Sequence, residues 1–297
     1  MKLGILTSVD TRHRYFVHTL RARFDVAAVG YEHTGYDPAA VNADGLNPQE
    51  VRIVQAHFQD RARHEMEYFG AHSAFAHDGS SCGVRTIQPG ELNTPEVVEF
   101  LGARKVDTVA VYGTNLIKPP LLTAFSGRMI NMHLGLSPYY RGTATNFYPL
   151  VNGEPEYVGA TIHVIDAGID SGPILRHARP EIVAGDRPHT IGCKGILAGI
   201  EALVASLEYL ERGRLSPTPQ WKPARARLCL RKDYHPRQVV DLYRNLEDGL
   251  IERYLSRRAR GEAEVQLVNP AATYPGDSGA SSCSPWTKPA HVNCDAS

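Results

Sequence analysis

Cysteine is scarce in this sequence: five residues, Cys82, Cys193, Cys229, Cys283 and Cys294, are scattered over 297 positions without a CxxC pair. An odd number at irregular spacing supports neither a disulfide framework nor a metal-ligand pattern, so the thiols read as free and no metal is expected. An excess of either charge is also missing, because 32 Lys and Arg balance 32 Asp and Glu. That removes the global positive charge of a protein built to hold a polynucleotide, and no nucleic-acid partner is expected. No stretch approaches the roughly 18 uncharged apolar residues of a membrane span. The first residues, MKLGILTSVD, hold too short an apolar run before Asp10 for a secretory signal. The expectation is a soluble, cytoplasmic chain with no membrane partner. Internal repeats are absent as well.

What is present is enough apolar material for a substantial core, with 42% hydrophobic and 22% charged residues. Lys2 to Thr7 reads as a buried strand, Thr11 to Phe24 as a helix and DVAAVGY from Asp25 to Tyr31 as a second strand. Pro48 to Phe69 places Val51, Val54, Phe58, Ala62, Met66 and Phe69 at helical intervals. Asp107 to Tyr112, Gly127 to Met132 and Val158 to Ile165 supply further strands, with a helical turn at Leu121 to Phe125. About six strands then fit one sheet, by strand–helix alternation of the kind that builds parallel α/β folds. A helix after Pro188, with Ile196, Ile200, Leu203, Val204, Leu207 and Leu210 on its apolar face, ends before Gly213 and closes a main domain at 1–213. Pro217 to Pro236 reads as connection, and Val239 to Leu255 resumes helical spacing, giving a small helical appendage at 214–268. From 269 to 297 the composition turns to Ala, Gly, Ser, Pro and Asp, which predicts a loose tail.

The chemistry concentrates where the strand ending in Asn131-Met132-His133 runs into LGLSPYYRG. Strand residues two apart share a side, so Asn131 and His133 present an amide and an imidazole together, a pair suited to stabilising the oxyanion of acyl transfer. The plain alternative for His133, one of thirteen histidines, is a residue satisfying a turn. Further on, IDAGIDSGP follows another strand and is dense in turn residues, placing Asp170 in a second loop expected at the same sheet edge. A carboxylate there is suited to holding the imidazole charged or to relaying a proton, the alternative being an Asx turn. His64 and Glu67 share a helical face that reads as solvated surface rather than a metal site.

Taken together, NMHLGLSPYYRG and NGEPEYVGATIHVIDAGIDSGP resemble the 10-formyltetrahydrofolate-dependent formyltransferase family in its Asn-x-His, its Pro-x-x-Arg-Gly-like turn and its Asp after a Thr-x-His strand. The resemblance covers about Gly113 to Leu175 well and the preceding half more loosely. It implies a Rossmann-like α/β domain with a mainly parallel sheet, 10-formyltetrahydrofolate as formyl donor, no metal, and Asn131, His133 and Asp170 as the catalytic trio. It further implies that the pterin is gripped at Gly113, Thr114, Asn115, Leu116 and Ile117 and at the loop Asp166, Ala167, Gly168 and Ile169, largely through backbone groups.

The departures from the family concern the acceptor. The first loop, SVDTRHRY, lacks the Gly-rich phosphate nest of glycinamide ribonucleotide formyltransferases, leaving Arg12 and Arg14 at a helix start to meet an anionic acceptor. Tyr139 and Arg141 border the catalytic strand as candidate entrance residues, Arg141 with a structural carboxylate pairing as its alternative. Arg225, Arg227, Arg231 and Lys232 are either an anion-holding patch or ordinary surface. Helical periodicity after 213, in place of the β-barrel appendage of the tRNA enzymes, argues against tRNA. The expected reaction is formyl transfer to the primary amine of a small molecule, a nucleotide-linked amino sugar by elimination. An amino-acid-like or other natural-product amine is the first alternative, and a formyl-folate hydrolase or an inactive folate-binding protein the second. A homodimer is left open.

Overall fold

The computed structural model describes residues 1–34, 45–72 and 82–268. Along the chain run β1 (Lys2–Thr7), α1 (Thr11–Arg21), β2 (Asp25–Glu32), α2 (Pro48–Phe69), β3 (Gly83–Ile87), α3 (Pro95–Gly102), β4 (Thr108–Tyr112), α4 (Leu121–Ala124) and β5 (Met129–His133). They are followed by β6 (Tyr140–Gly142), α5 (Tyr148–Val151), β7 (Ala160–Val164), β8 (Ile174–Ala178), α6 (Pro188–Glu211), β9 (Arg227–Cys229), α7 (Arg237–Glu247) and α8 (Leu250–Ala259). The predicted tail from 269, with Cys283 and Cys294, lies outside the described residues.

Local signals explain the strongest elements. The start of α2 is fixed by a capping box: Asn47 Oδ1 accepts from the Gln49 and Glu50 amides at 2.9 and 3.0 Å, Glu50 returns a carboxylate oxygen to the Asn47 amide, and Pro48 occupies the first turn. Strands β1 and β4 are buried almost throughout, as continuous apolar runs in a covered parallel sheet must be.

The large sheet has the order β3-β2-β1-β4-β5-β7-β8. Its first five members are parallel, whereas β7 runs antiparallel to β5 and β8 antiparallel to β7. This is the mainly parallel α/β architecture read from the sequence, with seven strands rather than six. The two strands missed by the periodicity, β3 and β8, are the sheet edges, where polar residues interrupt the apolar run. One apolar cluster, including Phe16, Leu20, Ile130, Met132, Ile200 and Leu203, fills one face beneath α1 and α6; a second, including Leu6, Val97, Leu101, Val109, Val111 and Leu121, fills the other beneath α3 and α4.

Helix α6 departs from the expectation that no stretch rivals a membrane span: it is long and apolar enough to cross one. Most of that apolar window, 61%, is buried in the molecule, where the helix packs on β7, β8 and α2. Its hydrophobicity is that of a core helix. The C-terminal helical stretch is broken at Gly249 into α7 and α8, with α7 packed on α2 and α5. The segment between Pro217 and Pro236, read as mere connection, contributes β9, which pairs in parallel with β6, and a backbone bridge from Thr218 to Ile174.

Candidate active site

Asn131 and His133 project from β5 on one side, as strand alternation requires. In the adjacent antiparallel β7, His163 stands opposite Asn131 and Thr161 opposite His133. This polarity corrects one expectation. The loop after β7 leaves the sheet beside Met129, at the end opposite the carboxyl end of β5, with the Ile165 amide bonded to the Met129 carbonyl at 2.9 Å. It reaches the site only by folding back, which it does between the antiparallel strands β7 and β8.

That return brings Asp170 onto the pair. Its Oδ1 accepts from Asn131 Nδ2 at 3.3 Å, and its Oδ2 lies 3.3 Å from His133 Nδ1 and accepts from the Gly142 amide at 2.8 Å. Asp170 therefore touches both of the other residues singled out in the sequence. A fourth, His163, was missed as a site residue: its Nε2 lies 3.1 Å from Asn131 Nδ2 and 3.5 Å from Asp170 Oδ1, while Nδ1 faces the Val164 carbonyl at 3.0 Å. Its signal lay in the Thr-x-His of the strand, but pairing with Asn131 depends on strand register, which the sequence does not display.

His133 is buried, its other ring nitrogen 3.0 Å from the Tyr140 carbonyl. Burial lowers its pKa below the ordinary imidazole value; Asp170 and the Tyr140 carbonyl oppose the fall, and His163 and Arg141 add to it. The resting ring is thus driven toward neutrality, contrary to the expectation of a carboxylate-held imidazolium. Burial would raise the Asp170 pKa, yet His133, His163 and the Gly142 amide together hold its carboxyl well below the usual range. At neutral pH it is an anion.

The remaining candidates divide. Gly113, at φ 71°, leaves β4 against His13, whose Nε2 would stand 2.2 Å from any added Cβ. Asn115 is tied to buried Glu32 through its amide (2.7 Å) and Nδ2 (2.8 Å), and its Oδ1 accepts from Arg231 at 3.0 Å. Leu116 is 52% exposed, whereas Ile117 packs, with Ile165, against the second apolar cluster. In the other segment, Asp166 Oδ1 braces the turn through the Gly168 amide (3.0 Å) and Ser171 hydroxyl (2.8 Å), and Ala167 and Gly168 are exposed. The two segments therefore combine exposed residues, Gly113, Leu116, Asp166, Ala167 and Gly168, with side chains tied into the fold at Asn115 and Ile117.

The acceptor candidates fare less evenly. Arg12 is engaged in ion pairs with Glu65 (2.6 Å) and Asp10 (2.7 Å), and its side chain is largely buried, so it is not the outward-facing anion binder expected. Arg14 Nε donates to the Val9 carbonyl at 3.0 Å. Tyr139 is buried against Tyr157 and Trp221, its hydroxyl donating to the Gln266 carbonyl at 3.1 Å, and so forms part of the packing rather than an open entrance. Arg141 lies close enough to His133 to depress its pKa, and its Nε is buried without a hydrogen-bond partner. The carboxylate pairing weighed for Arg141 does not occur among the described residues. No grouping of metal-ligating residues occurs among the described residues.

The chain is thus an α/β protein whose mainly parallel sheet carries an Asn–His–Asp constellation beside β5. The match to known families is then direct: a family model described as Formyl transferase covers residues 42–207, more than half of the chain, and the chain belongs to that family. It is similar to the methionyl-tRNA formyltransferase of Trichlorobacter lovleyi, 32% identical over 139 residues, 46% of this chain and 44% of that protein. Similarity to the enzyme of that name from Synechococcus sp. (strain JA-3-3Ab) is 36% over 140 residues, 46% of this chain and 43% of that protein. The chain matches less than half the length of these curated relatives. In fold it resembles a sugar N-formyltransferase from Shewanella sp., with a TM-score of 0.52 and 17% identity over 83% of this chain and 88% of the other. It also resembles phosphoribosylglycinamide formyltransferase from Anaplasma phagocytophilum, with a TM-score of 0.51 and 14% identity over 77% and 97%.

Proposed function

We propose that this chain transfers a formyl group from a 10-formyltetrahydrofolate-type donor to a primary amine. The observation that carries this reading is the meeting of the Asp170 carboxylate with both Asn131 and His133. The donor supplies the formyl carbon. As negative charge develops on the carbonyl oxygen, Asn131 Nδ2 and a ring N–H of His133 turn to it from their resting partners, Asp170 Oδ1 and the Tyr140 carbonyl. Both ring nitrogens of His133 face oxygens, Asp170 Oδ2 and the Tyr140 carbonyl, so a proton arriving on the ring meets an acceptor on either side. Burial keeps the ring neutral at rest, and Asp170 stabilises the cation when it forms. With its own pKa held low, Asp170 serves as a fixed negative charge that orients His133. The neutral amine adds to the formyl carbon, and as the tetrahedral intermediate collapses the bond from that carbon to the folate nitrogen breaks while the amine proton passes, through water, to the departing folate nitrogen.

For the acceptor we favour a small-molecule amine, with a nucleotide-linked amino sugar as the leading candidate. Support comes from the helices α7 and α8 following the α/β layer and from the balanced charge of the chain. Residues 1–213 would hold the catalytic layer, with 214–268 completing it. A second reading is favoured by the names of the curated relatives, methionyl-tRNA formyltransferases, which point to the amine of an aminoacyl-tRNA. The test incubates the protein with 10-formyltetrahydrofolate and, separately, nucleotide-linked amino sugars, methionyl-tRNA and water alone, and follows N-formyl product and formate. An N-formylated sugar supports the favoured acceptor; formylated methionyl-tRNA replaces it with the second. Formate without N-formyl product makes the protein a hydrolase, and an unchanged donor throughout overturns transfer.

A further inference from the structure

Asp170 carries the negative charge of the site from a demanding backbone position. Its φ of 47° lies in the left-handed region, which a residue with a side chain occupies only where its surroundings hold it there. The loop is braced at its start by Asp166 and at its end by the Val164 amide on the Pro173 carbonyl at 3.0 Å. Neither contact touches the peptide unit that follows Asp170. Gln220 does: its Nε2 donates to the Asp170 carbonyl at 2.8 Å and to the Gly172 carbonyl at 2.9 Å. Because both partners are acceptors, only the amide nitrogen can face them, and its two hydrogens match the two carbonyls.

Gln220 is itself firmly placed. Two residues earlier, Thr218 and Ile174 exchange backbone hydrogen bonds of 2.7 and 2.8 Å, which adds this segment to the edge strand β8. One residue later, the Trp221 ring stands edge-on to Tyr139, with centroids 5.9 Å apart. The segment between α6 and β9 therefore delivers one side-chain amide to the backbone of the loop that carries the catalytic carboxylate. Gln220 lies beyond the stretch covered by the family match, which ends at 207.

We propose that Gln220 is a positioning residue, which locks the left-handed turn at Asp170 and thereby holds the carboxylate against His133. The proposal rests on the functional reading above only in taking Asp170 and His133 as the working pair. Groups facing the His133 ring are Asp170, His163, His177 and Arg141, together with the Tyr140 carbonyl and the Thr145 hydroxyl. Loosening Asp170 alone among them removes a stabilising anion and moves the His133 titration to lower pH.

The experiment follows the His133 imidazole by NMR across a pH titration of the full chain, in the wild type, Gln220→Leu, Gln220→Met and the reference Asp170→Asn. Thermal midpoints are measured on the same samples. Gln220→Met keeps the length of the side chain while losing both donors without adding charge, and serves if Gln220→Leu fails to fold. Both Gln220 variants are expected to lower the His133 midpoint by about half a pH unit or more, toward the Asp170→Asn value, with Tm within a few degrees of wild type. A merely structural role would lower Tm and leave the midpoint of the folded protein in place, and that result overturns the proposal. An Asp170→Asn midpoint equal to wild type would remove the carboxylate–imidazole coupling itself, sinking the functional reading and the proposal together. The first failure belongs to Gln220 alone, so the two are distinguishable.

Discussion

His133 Nδ1 and Asp170 Oδ2 stand 3.3 Å apart, although β5 and the loop bearing Asp170 approach from opposite ends of the sheet. The carboxylate is held on its other side by the Gly142 amide at 2.8 Å, on the short strand β6. A tight backbone donor and a buried ring therefore fix one anion between them, and the consequences are open to measurement.

Replacing Asp170 with Asn keeps the shape of the side chain and removes its charge. Formyl transfer is expected to fall by about 10²- to 10⁴-fold, the range set by loss of a positioned acid–base partner, with the circular dichroism spectrum unchanged. Turnover within a few-fold of wild type would remove Asp170 from the mechanism.

Gly142 has φ 97°, and an added Cβ would meet the Cys229 carbonyl oxygen at 2.1 Å. Gly142→Ala is expected to cost at least about 2 kcal/mol, from backbone strain plus a clash that must push β6 and β9 apart. Gly153→Ala is the control, with a similar φ of 74° and open space around it, and should cost only about 1 kcal/mol. Denaturant unfolding of the two variants checks the difference. Equal losses would show that the contact with Cys229 yields easily.

Three buried histidines outside the Asn131–His133–Asp170 trio predict acid sensitivity. Burial first, then neighbouring positive groups, holds His57 down to about 3 and His189 to about 4; burial likewise holds His177 to about 4. His57 and His189 lie with ring centroids 4.4 Å apart where α2 meets the start of α6. Unfolded, each ring takes up a proton near pH 6.5, so the unfolded state binds more protons between that pH and the lowered values. Stability is therefore full above pH 6.5 and falls as the pH drops toward 4, by on the order of 3 kcal/mol per ring. Thermal midpoints at pH 7 and pH 5 test this, and His189→Phe should flatten the slope. A Tm independent of pH over that range would show that the rings are less enclosed.

Arg12 and Glu65 form a largely enclosed pair at 2.6 Å between α1 and α2. Breaking it with Glu65→Leu leaves a guanidinium without its main partner and should cost about 3 kcal/mol or more, whereas Arg12→Met with Glu65→Leu should recover much of the loss. If the pair is structural, the KM for the formyl acceptor stays unchanged in the double variant. A large rise in KM would return Arg12 to the binding surface.

Much of the architecture was legible because it rests on local pattern. The run KLGILT and the helical spacing to Phe69 each carry their own physical instruction, and α2 matches its expected bounds from Pro48 to Phe69, with the capping box at Asn47 and Glu50 seen in the fold. The edge strands β3 and β8 and the short β6–β9 pair carried no such instruction: they are brief, partly polar and stabilised by partners distant in sequence. Within the site, Asn131 and His133 were readable as strand neighbours two apart, and Asp170 through the family resemblance. His163 and Gln220 were not, because their importance lies in which residues they face.

The sequence by itself determined the mainly parallel α/β layer and the three polar residues of the trio, since both follow from short-range periodicity and from residue types in a recognisable order. Only the tertiary structure decided that β7 runs against β5, that the Asp170 loop returns across the site, that burial neutralises the resting His133, and that Arg12 turns inward to Glu65. Those outcomes depend on strand register, solvent exclusion and the placement of charges far apart in the chain, quantities that exist only once the chain has folded.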